Sequence, residues 1–350
     1  MQELYNSCTR LLNEGEDVVL ATIISLSGSA PRTAGTKMLV KKDGSFVGTI
    51  GGGLLEAQVL QFARDVFSAG RSVVKEFNLT GADTDSMDMI CGGQLQVYIE
   101  FLSAQSPETL AIYSAIAELI RSGQKALLAT RLPAGDGGDV PPAKCLFTPD
   151  GGRIACTIPP DRQERLLEED GRARYPVPVQ LDGELFLVEP VSSLGTVYLF
   201  GAGHVSQQVA RLTGMVGFRT VVLDDREQFA NRQRFPRADE VIVAENLDRC
   251  MDDLAVSRDS YLVIITRGHK YDMTVLEQAL QTDACYIGMI GSRRKIDAIY
   301  RTLREKGVTN EQLDRVYSPI GISINAETPE EIAVSIAGQL IKVRSELANG

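Results

Sequence analysis

The residues able to do chemistry lie in a few short stretches. Cys91 stands between a polar run (80–88) and the pair Gly92-Gly93. A thiolate beside glycine amides can bind a soft metal or carry sulfur; a cysteine there can equally be a small apolar core residue. Arg32 sits in a loop of small residues, GSAPRTAGT (28–36). That composition suits an exposed loop, or an anion-binding loop with open amides and one guanidinium. Gly51-Gly52-Gly53 runs straight into a helical stretch, which suits close approach of a ligand to backbone or a turn bent for packing. Glu56, in the first turn of that helix, suits the dipole.

A second group lies in the last third. Gly201-Ala202-Gly203-His204 follows an apolar run, and Asp224-Asp225 ends the next one, with Asp224 placed 21 residues beyond Gly203. This is the spacing of a strand, tight turn, helix and second strand that bind a dinucleotide. Gly201 would allow the turn, Gly203 would admit a phosphate, and Asp224 would accept from a ribose hydroxyl. Ser206 replaces the third glycine, so looser helix–strand packing is expected there. Farther on, Arg267, His269 and Lys270, then Ser292, Arg293, Arg294 and Lys295, follow two later apolar runs.

The elements that must hold these residues follow from periodicity. Helices are expected over 2–14, 54–69, 106–122 and 329–347, and strands over 17–25, 37–41, 45–50, 72–78, 94–101, 124–131, 144–147, 153–156 and 185–190. From 196 onward strands and helices alternate, which requires a doubly wound parallel sheet with ligands at the carboxyl ends of its strands. The cationic residues would therefore rim one crevice. The fold class is α/β: a mixed α+β domain over 1–193 and a Rossmann-type domain over 194–350, linked near 191–195.

The net charge of −10 over 350 residues argues against nucleic-acid binding. No apolar run approaches the roughly 20 residues of a membrane span, and the first residues lack a signal-peptide pattern, so a cytoplasmic location is expected. Six scattered cysteines and two histidines argue against a zinc site, a disulfide framework or a His-rich metal centre. No repeat of about 20–50 residues is evident.

Seven segments together carry a family resemblance: GSAPRTAGTKMLV, GTIGGGLLEAQV, MICGGQLQVYIE, LFGAGHVSQQVA, TRGHKYD, YIGMIGSRRK and SPIGISINAETPEEIAVSIAGQLI. In this order the chain resembles the XdhC/CoxI family of accessory factors for xanthine dehydrogenase and related molybdenum hydroxylases. The resemblance implies a chaperone, not an enzyme. It would bind the molybdenum cofactor (molybdopterin or its dinucleotide form), assist its sulfuration and deliver it. The implied partners are an apo molybdenum hydroxylase and a cysteine desulfurase; a homodimer is the default assembly. On this expectation the ligand lies between the domains, with Gly201, Gly203 and Asp224 at its nucleotide end, Arg293 on phosphate and Cys91 facing the metal or its sulfur. Two other readings stay open: an NAD(P)-dependent oxidoreductase with His269 as proton donor, and a non-catalytic partner-binding module.

Overall fold

The computed structural model describes residues 2–27, 33–78, 93–133, 143–148, 151–170, 176–191 and 194–349. The chain divides into two compact units, 1–192 and 193–350.

The first unit runs α1 (Gln2–Asn13), β1 (Val18–Ser27), β2 (Lys37–Lys41), β3 (Phe46–Gly48), α2 (Gly53–Ala69), β4 (Val73–Asn78) and β5 (Gln94–Leu102). It continues with α3 (Pro107–Ser122), β6 (Ala126–Arg131), β7 (Lys144–Phe147), β8 (Arg153–Ile154), α4 (Pro160–Asp170), β9 (Val177–Leu181) and β10 (Glu184–Val191). The second series repeats the first. The two five-stranded sheets have matching orders, β3-β2-β1-β5-β4 and β8-β7-β6-β10-β9. The register matches too: Thr22 lies opposite Lys37 as Thr130 lies opposite Lys144, and Leu20 opposite Glu100 as Leu128 opposite Glu189. This unit is thus an internal duplication, with a period longer than that of the short-repeat architectures.

Strand alternation explains how it packs. Val19, Ala21 and Ile23 face α2, and Leu127 and Ala129 pack in the matching cluster of the second sheet. Val18, Leu20 and Leu128 point the other way, into one core shared by both halves with α1 and α3, where Tyr5 and Tyr113 meet at 6.3 Å between ring centroids. Two buried ion pairs cross this core reciprocally. Lys37 Nζ lies 2.5 Å from Glu189 Oε1, and Lys144 Nζ lies 2.6 Å from Glu100 Oε1. Lys37 also donates to Thr22 Oγ1 at 2.9 Å, and Lys144 to the Tyr113 hydroxyl at 3.0 Å, which itself donates to Glu100. Burial, with Glu189 and Glu100 nearby, pushes the Tyr5 phenol well up; burial and Glu100 do the same to Tyr113.

Neither α4 nor β9 is among the elements expected from periodicity, and scattered cysteines argue against a disulfide framework. Cys145 and Cys156 are in fact bridged, with Cα atoms 4.0 Å apart. The pairing arises because the antiparallel β7–β8 register folds the chain back on itself, which cysteine spacing alone does not reveal.

The second unit is the doubly wound sheet. Its strands are β11 (Thr196–Phe200), β12 (Arg219–Asp224), β13 (Glu240–Val243), β14 (Ser260–Ile264), β15 (Tyr286–Met289) and β16 (Val316–Tyr317). They are all parallel, in the order β13-β12-β11-β14-β15-β16. α5 (His204–Met215) and α9 (Pro329–Asn349) cover one face through Val209, Ala210, Ala333, Ile336 and Leu340. α6 (His269–Ala279), α7 (Arg293–Glu305) and α8 (Asn310–Asp314) cover the other through Val275, Leu276, Ile296, Ile299 and Leu313. The chain order reverses between β11 and β14, so the crevice of such a fold opens at the carboxyl ends of those two strands.

Candidate functional site

Gly201 ends β11 at this reversal. Its φ is +110°, and a Cβ there would lie 2.2 Å from the Ile265 carbonyl oxygen. The close approach of β11 and β14 at their ends is by itself a packing reason for glycine here. Gly203 caps the start of α5 with ordinary backbone angles, and a Cβ on it meets nothing within 4 Å. Open space above a helix start is where an anion can approach. His204, the first residue of α5, is exposed. Ser206 is fully buried and donates to the Gly201 carbonyl at 2.5 Å. Packing is therefore tight at that position: the hydroxyl pins the helix to the turn.

Asp224 closes β12. Its carboxylate is 3% exposed and accepts four hydrogen bonds. They come from the Ala202 amide (2.8 Å), the Arg226 amide (3.1 Å), and Arg226 Nε and Nη2 (2.8 Å each). Burial alone would raise this group; the bonds from Arg226 and Ala202 outweigh it and hold the carboxyl below its usual range. With both oxygens engaged inside the protein, Asp224 would accept from the ribose hydroxyl that spacing suggests only by sharing or giving up one of these bonds. Arg226 stacks on Phe229 at 3.9 Å, and Arg234 lies 5.0 Å over the same ring. Arg234 also donates to Gln207 Oε1 at 3.0 Å, while its buried Nε has no acceptor among the described residues.

Beyond β14, Arg267 reaches back to Asp225 at 2.7 Å and to the Tyr271 hydroxyl at 2.9 Å. Gly268 caps α6, again with nothing within 4 Å of a Cβ, and His269 and Lys270 follow, both exposed. Asp272, in the same turn, faces inward and is 0% exposed. It accepts from the Thr266 amide (3.0 Å) and hydroxyl (2.6 Å) and is ion-paired with Lys295 of α7. Lys295 also donates to the Ile290 carbonyl at 3.2 Å. Asp272 thus ties together the β14 loop, the first turn of α6 and the start of α7. The sequence reading passed over it, although an acidic residue amid Arg, His and Lys was the available signal. Ser292 caps α7 by accepting from the Lys295 amide at 3.4 Å, and Arg293 and Arg294 stand exposed in its first turn.

Among the described residues, no ion-pair partner is found for Lys270, Arg293 or Arg294. Cations at helix starts oppose the dipole, each by about 0.3–1 kcal/mol. Neither α5 nor α7 carries an acidic residue in its first turn. On a chain of net charge −10, this local excess of positive charge is suited to an anion at the sheet's carboxyl edge.

In the first unit, Gly51, Gly52 and Gly53 have φ values of +134°, +79° and +58°, a run that side-chain-bearing residues rarely adopt. A Cβ on Gly52 or Gly53 meets nothing within 4 Å. Glu56 does more than suit the dipole. Its Oε1 accepts from Thr49 Oγ1 (2.5 Å), the Ile50 amide (3.2 Å) and the Gly52 amide (2.9 Å), holding the turn in shape. Part of the turn's donor capacity is therefore filled internally, leaving its open face at the start of α2. Arg32, Cys91 and Gly92 lie outside the described residues. Of the other cysteines, burial pushes Cys8 up to about 12 and Cys250 and Cys285 up to about 11, and the remaining two are bridged.

These two units correspond to known sequence families. The XdhC Rossmann domain matches residues 197–340, and the XdhC and CoxI family description matches residues 11–78. The chain belongs to the XdhC and CoxI family. Relatives include a Bacillus subtilis protein described as a probable xanthine dehydrogenase component, 26% identical over 99% of each chain. The molybdenum cofactor insertion chaperone PaoD of Escherichia coli is 21% identical over 95% of this chain and 85% of its own. An uncharacterized Escherichia coli protein, YqeB, is 23% identical over 99% of this chain, which spans only 47% of that relative. A Bacillus halodurans structure described as a xanthine dehydrogenase superposes with a TM-score of 0.79 at 24% identity, covering 98% of this chain and 96% of that one. The fold of that structure is thereby shared over both units.

Proposed function

We propose that this chain is an accessory factor for a molybdenum hydroxylase: it holds a molybdenum cofactor by its phosphate-bearing end and passes it to the apo-enzyme. The observation that carries this reading is the pair of open helix starts at Gly203 and Gly268, with Lys270, Arg293 and Arg294 in the first turns of α6 and α7, along the carboxyl edge of an XdhC Rossmann sheet. The named role of PaoD, a cofactor insertion chaperone, and the name of the Bacillus subtilis relative support the same reading.

The residues present fit a phosphate or pyrophosphate. Gly203 and Gly268 leave room at two helix starts, and Lys270, Arg293 and Arg294 supply charge. His204 and His269 stand beside them as hydrogen-bond partners. When bound, the cofactor supplies the metal and sulfur chemistry that the client enzyme uses. The chain's own residues would bind and orient it. For the metal end, the thiols of Cys8, Cys250 and Cys285 are held protonated by burial and Cys145 is bridged to Cys156. Cys91, beside Gly92, is then the candidate contact to molybdenum or its sulfur, with Arg32 and the Gly51–Gly53 turn as further candidate contacts. Sulfuration with a cysteine desulfurase as donor belongs to the same proposal. The ordinary nicotinamide reading is disfavoured, because Asp224 is committed to Arg226 and Ala202.

The test is activation of a co-expressed molybdenum hydroxylase. Arg293→Glu with Arg294→Glu is expected to lower activation at least tenfold while leaving the circular dichroism spectrum unchanged. Cys91→Ser is expected to lower it independently. Full activation by the charge-reversed protein would remove the crevice from the mechanism.

A further inference from the structure

The cations of the crevice differ in how they are held. Arg226 is locked on Asp224, and Lys295 on Asp272, a carboxylate with 0% exposure. Arg267 is held differently. Its partner Asp225 retains 19% side-chain exposure, and Arg267 itself 37%. Among the described residues, that contact is the only hydrogen bond found for the Asp225 side chain. Arg226 Nε stands off at 3.9 Å. Asp225 directly follows β12 and Arg267 follows β14, and these are the two neighbours of β11. The ion pair therefore joins the loops on either side of the Gly201–Gly203 turn.

Arg267 has a second hold besides Asp225. Its guanidinium donates to the Tyr271 hydroxyl at 2.9 Å and lies 4.6 Å from that ring's centroid. Removing the Asp225 charge would thus leave a placed guanidinium that is no longer neutralised. A pair whose purpose was to brace the two loops would instead require both partners.

We infer that Asp225 is a built-in counter-anion, which occupies Arg267 until the phosphate of a ligand displaces it. The inference rests on the reading of this edge as an anion site. Asp225 then sets how strongly charged a ligand must be to enter, because any incoming group must outcompete a carboxylate already in place. Arg267 becomes a ligand contact, and Asp225 a specificity-determining residue that touches Arg267 rather than the ligand.

The experiment is isothermal titration of the full chain with inorganic pyrophosphate, for wild type, Asp225→Asn, Arg267→Ala and the double variant. Asp225→Asn is expected to bind about two- to fivefold more tightly than wild type, the range of one partly exposed ion pair. Arg267→Ala should bind more weakly, and in its background Asp225→Asn should give no gain. Unchanged or weaker binding by Asp225→Asn, with wild type binding normally, overturns the counter-anion role and leaves the crevice standing. Absence of binding by all four proteins, each folded by circular dichroism, overturns the anion site and this inference with it. Tighter binding that persists without Arg267 also overturns it, since the gain would then come from general charge.

Discussion

Asp272 offers the sharpest test of how the crevice is built. Its carboxylate is 0% exposed and joins three elements through two bonds from Thr266 and an ion pair with Lys295. Asp272→Ala removes all three contacts. It strands the Thr266 amide and leaves Lys295 with the Ile290 carbonyl alone. Losing a fully buried carboxylate that accepts two hydrogen bonds, with the Thr266 amide left unpaired, costs about 3–5 kcal/mol. For a unit of this size, about 2–4 °C per kcal/mol, the melting temperature of the second unit should fall by roughly 6–20 °C. Asp272→Asn keeps an oxygen for Thr266, and Lys295, with 25% side-chain exposure, can turn to solvent. The loss is then about 2–3 kcal/mol, the difference between charged and neutral acceptors over two bonds. The chain contains no tryptophan, so the assay is thermal melting by circular dichroism, paired with pyrophosphate titration. Both variants should lose affinity in the order Ala beyond Asn, because the β14 loop and the start of α7 are no longer tied. An alanine variant within 1 kcal/mol of wild type would refute the reasoning.

Other consequences can be checked in the same protein. Lys37→Met leaves Glu189 buried without its partner and should cost about 3–5 kcal/mol. Adding Glu189→Leu should recover most of that loss, and the Lys144–Glu100 pair should behave alike; equal destabilisation by single and double variants in denaturant unfolding would deny the coupling. The Asp224 carboxyl is held below its usual value of 3.8. Its stabilising contribution is therefore complete above that value and is lost as pH falls through the lower folded-state value. Asp224→Asn should be less stable than wild type at neutral pH and show a shallower acid-side decline below about pH 4; parallel pH profiles would contradict this. Gly201→Ala, with its Cβ 2.2 Å from the Ile265 oxygen, should destabilise by at least about 1–3 kcal/mol through the strained φ. Gly203→Ala should leave melting within about 1 kcal/mol yet weaken pyrophosphate binding. The reverse ranking would place the ligand contact at Gly201.

Much of the fold was legible because periodicity carries it. The β-branched runs of β11, β12 and β14 and the glycine turn marked the parallel sheet, and the nearly unbroken apolar run within 17–25 marked a buried strand. The duplication was not legible, since it resides in register and reciprocal ion pairs, with Thr22 and Lys37 answering Thr130 and Lys144 while most neighbours differ. For the candidate site, the loop ends at the sheet's carboxyl edge were legible and the contacts made by their side chains were not. Spacing put Asp224 where a ribose acceptor belongs but could not show Arg226 and the Ala202 amide filling its carboxylate. Gly201 was legible as the residue that allows the turn, and its φ of +110° agrees, but the approach of the Ile265 carbonyl was not visible in the sequence. Ser206 looked like a loosened position and instead hydrogen-bonds the turn. Asp272 was hidden among basic neighbours, because whether a carboxylate faces inward depends on the turn it occupies.

The measurement that bears most directly on the central claim is mass spectrometry of small molecules released from the chain after purification from a cofactor-producing host. The account predicts a phosphorylated pterin, reduced in amount by Arg293→Glu with Arg294→Glu. Release of a nicotinamide dinucleotide, or of pterin in undiminished amount from the charge-reversed protein, would contradict it.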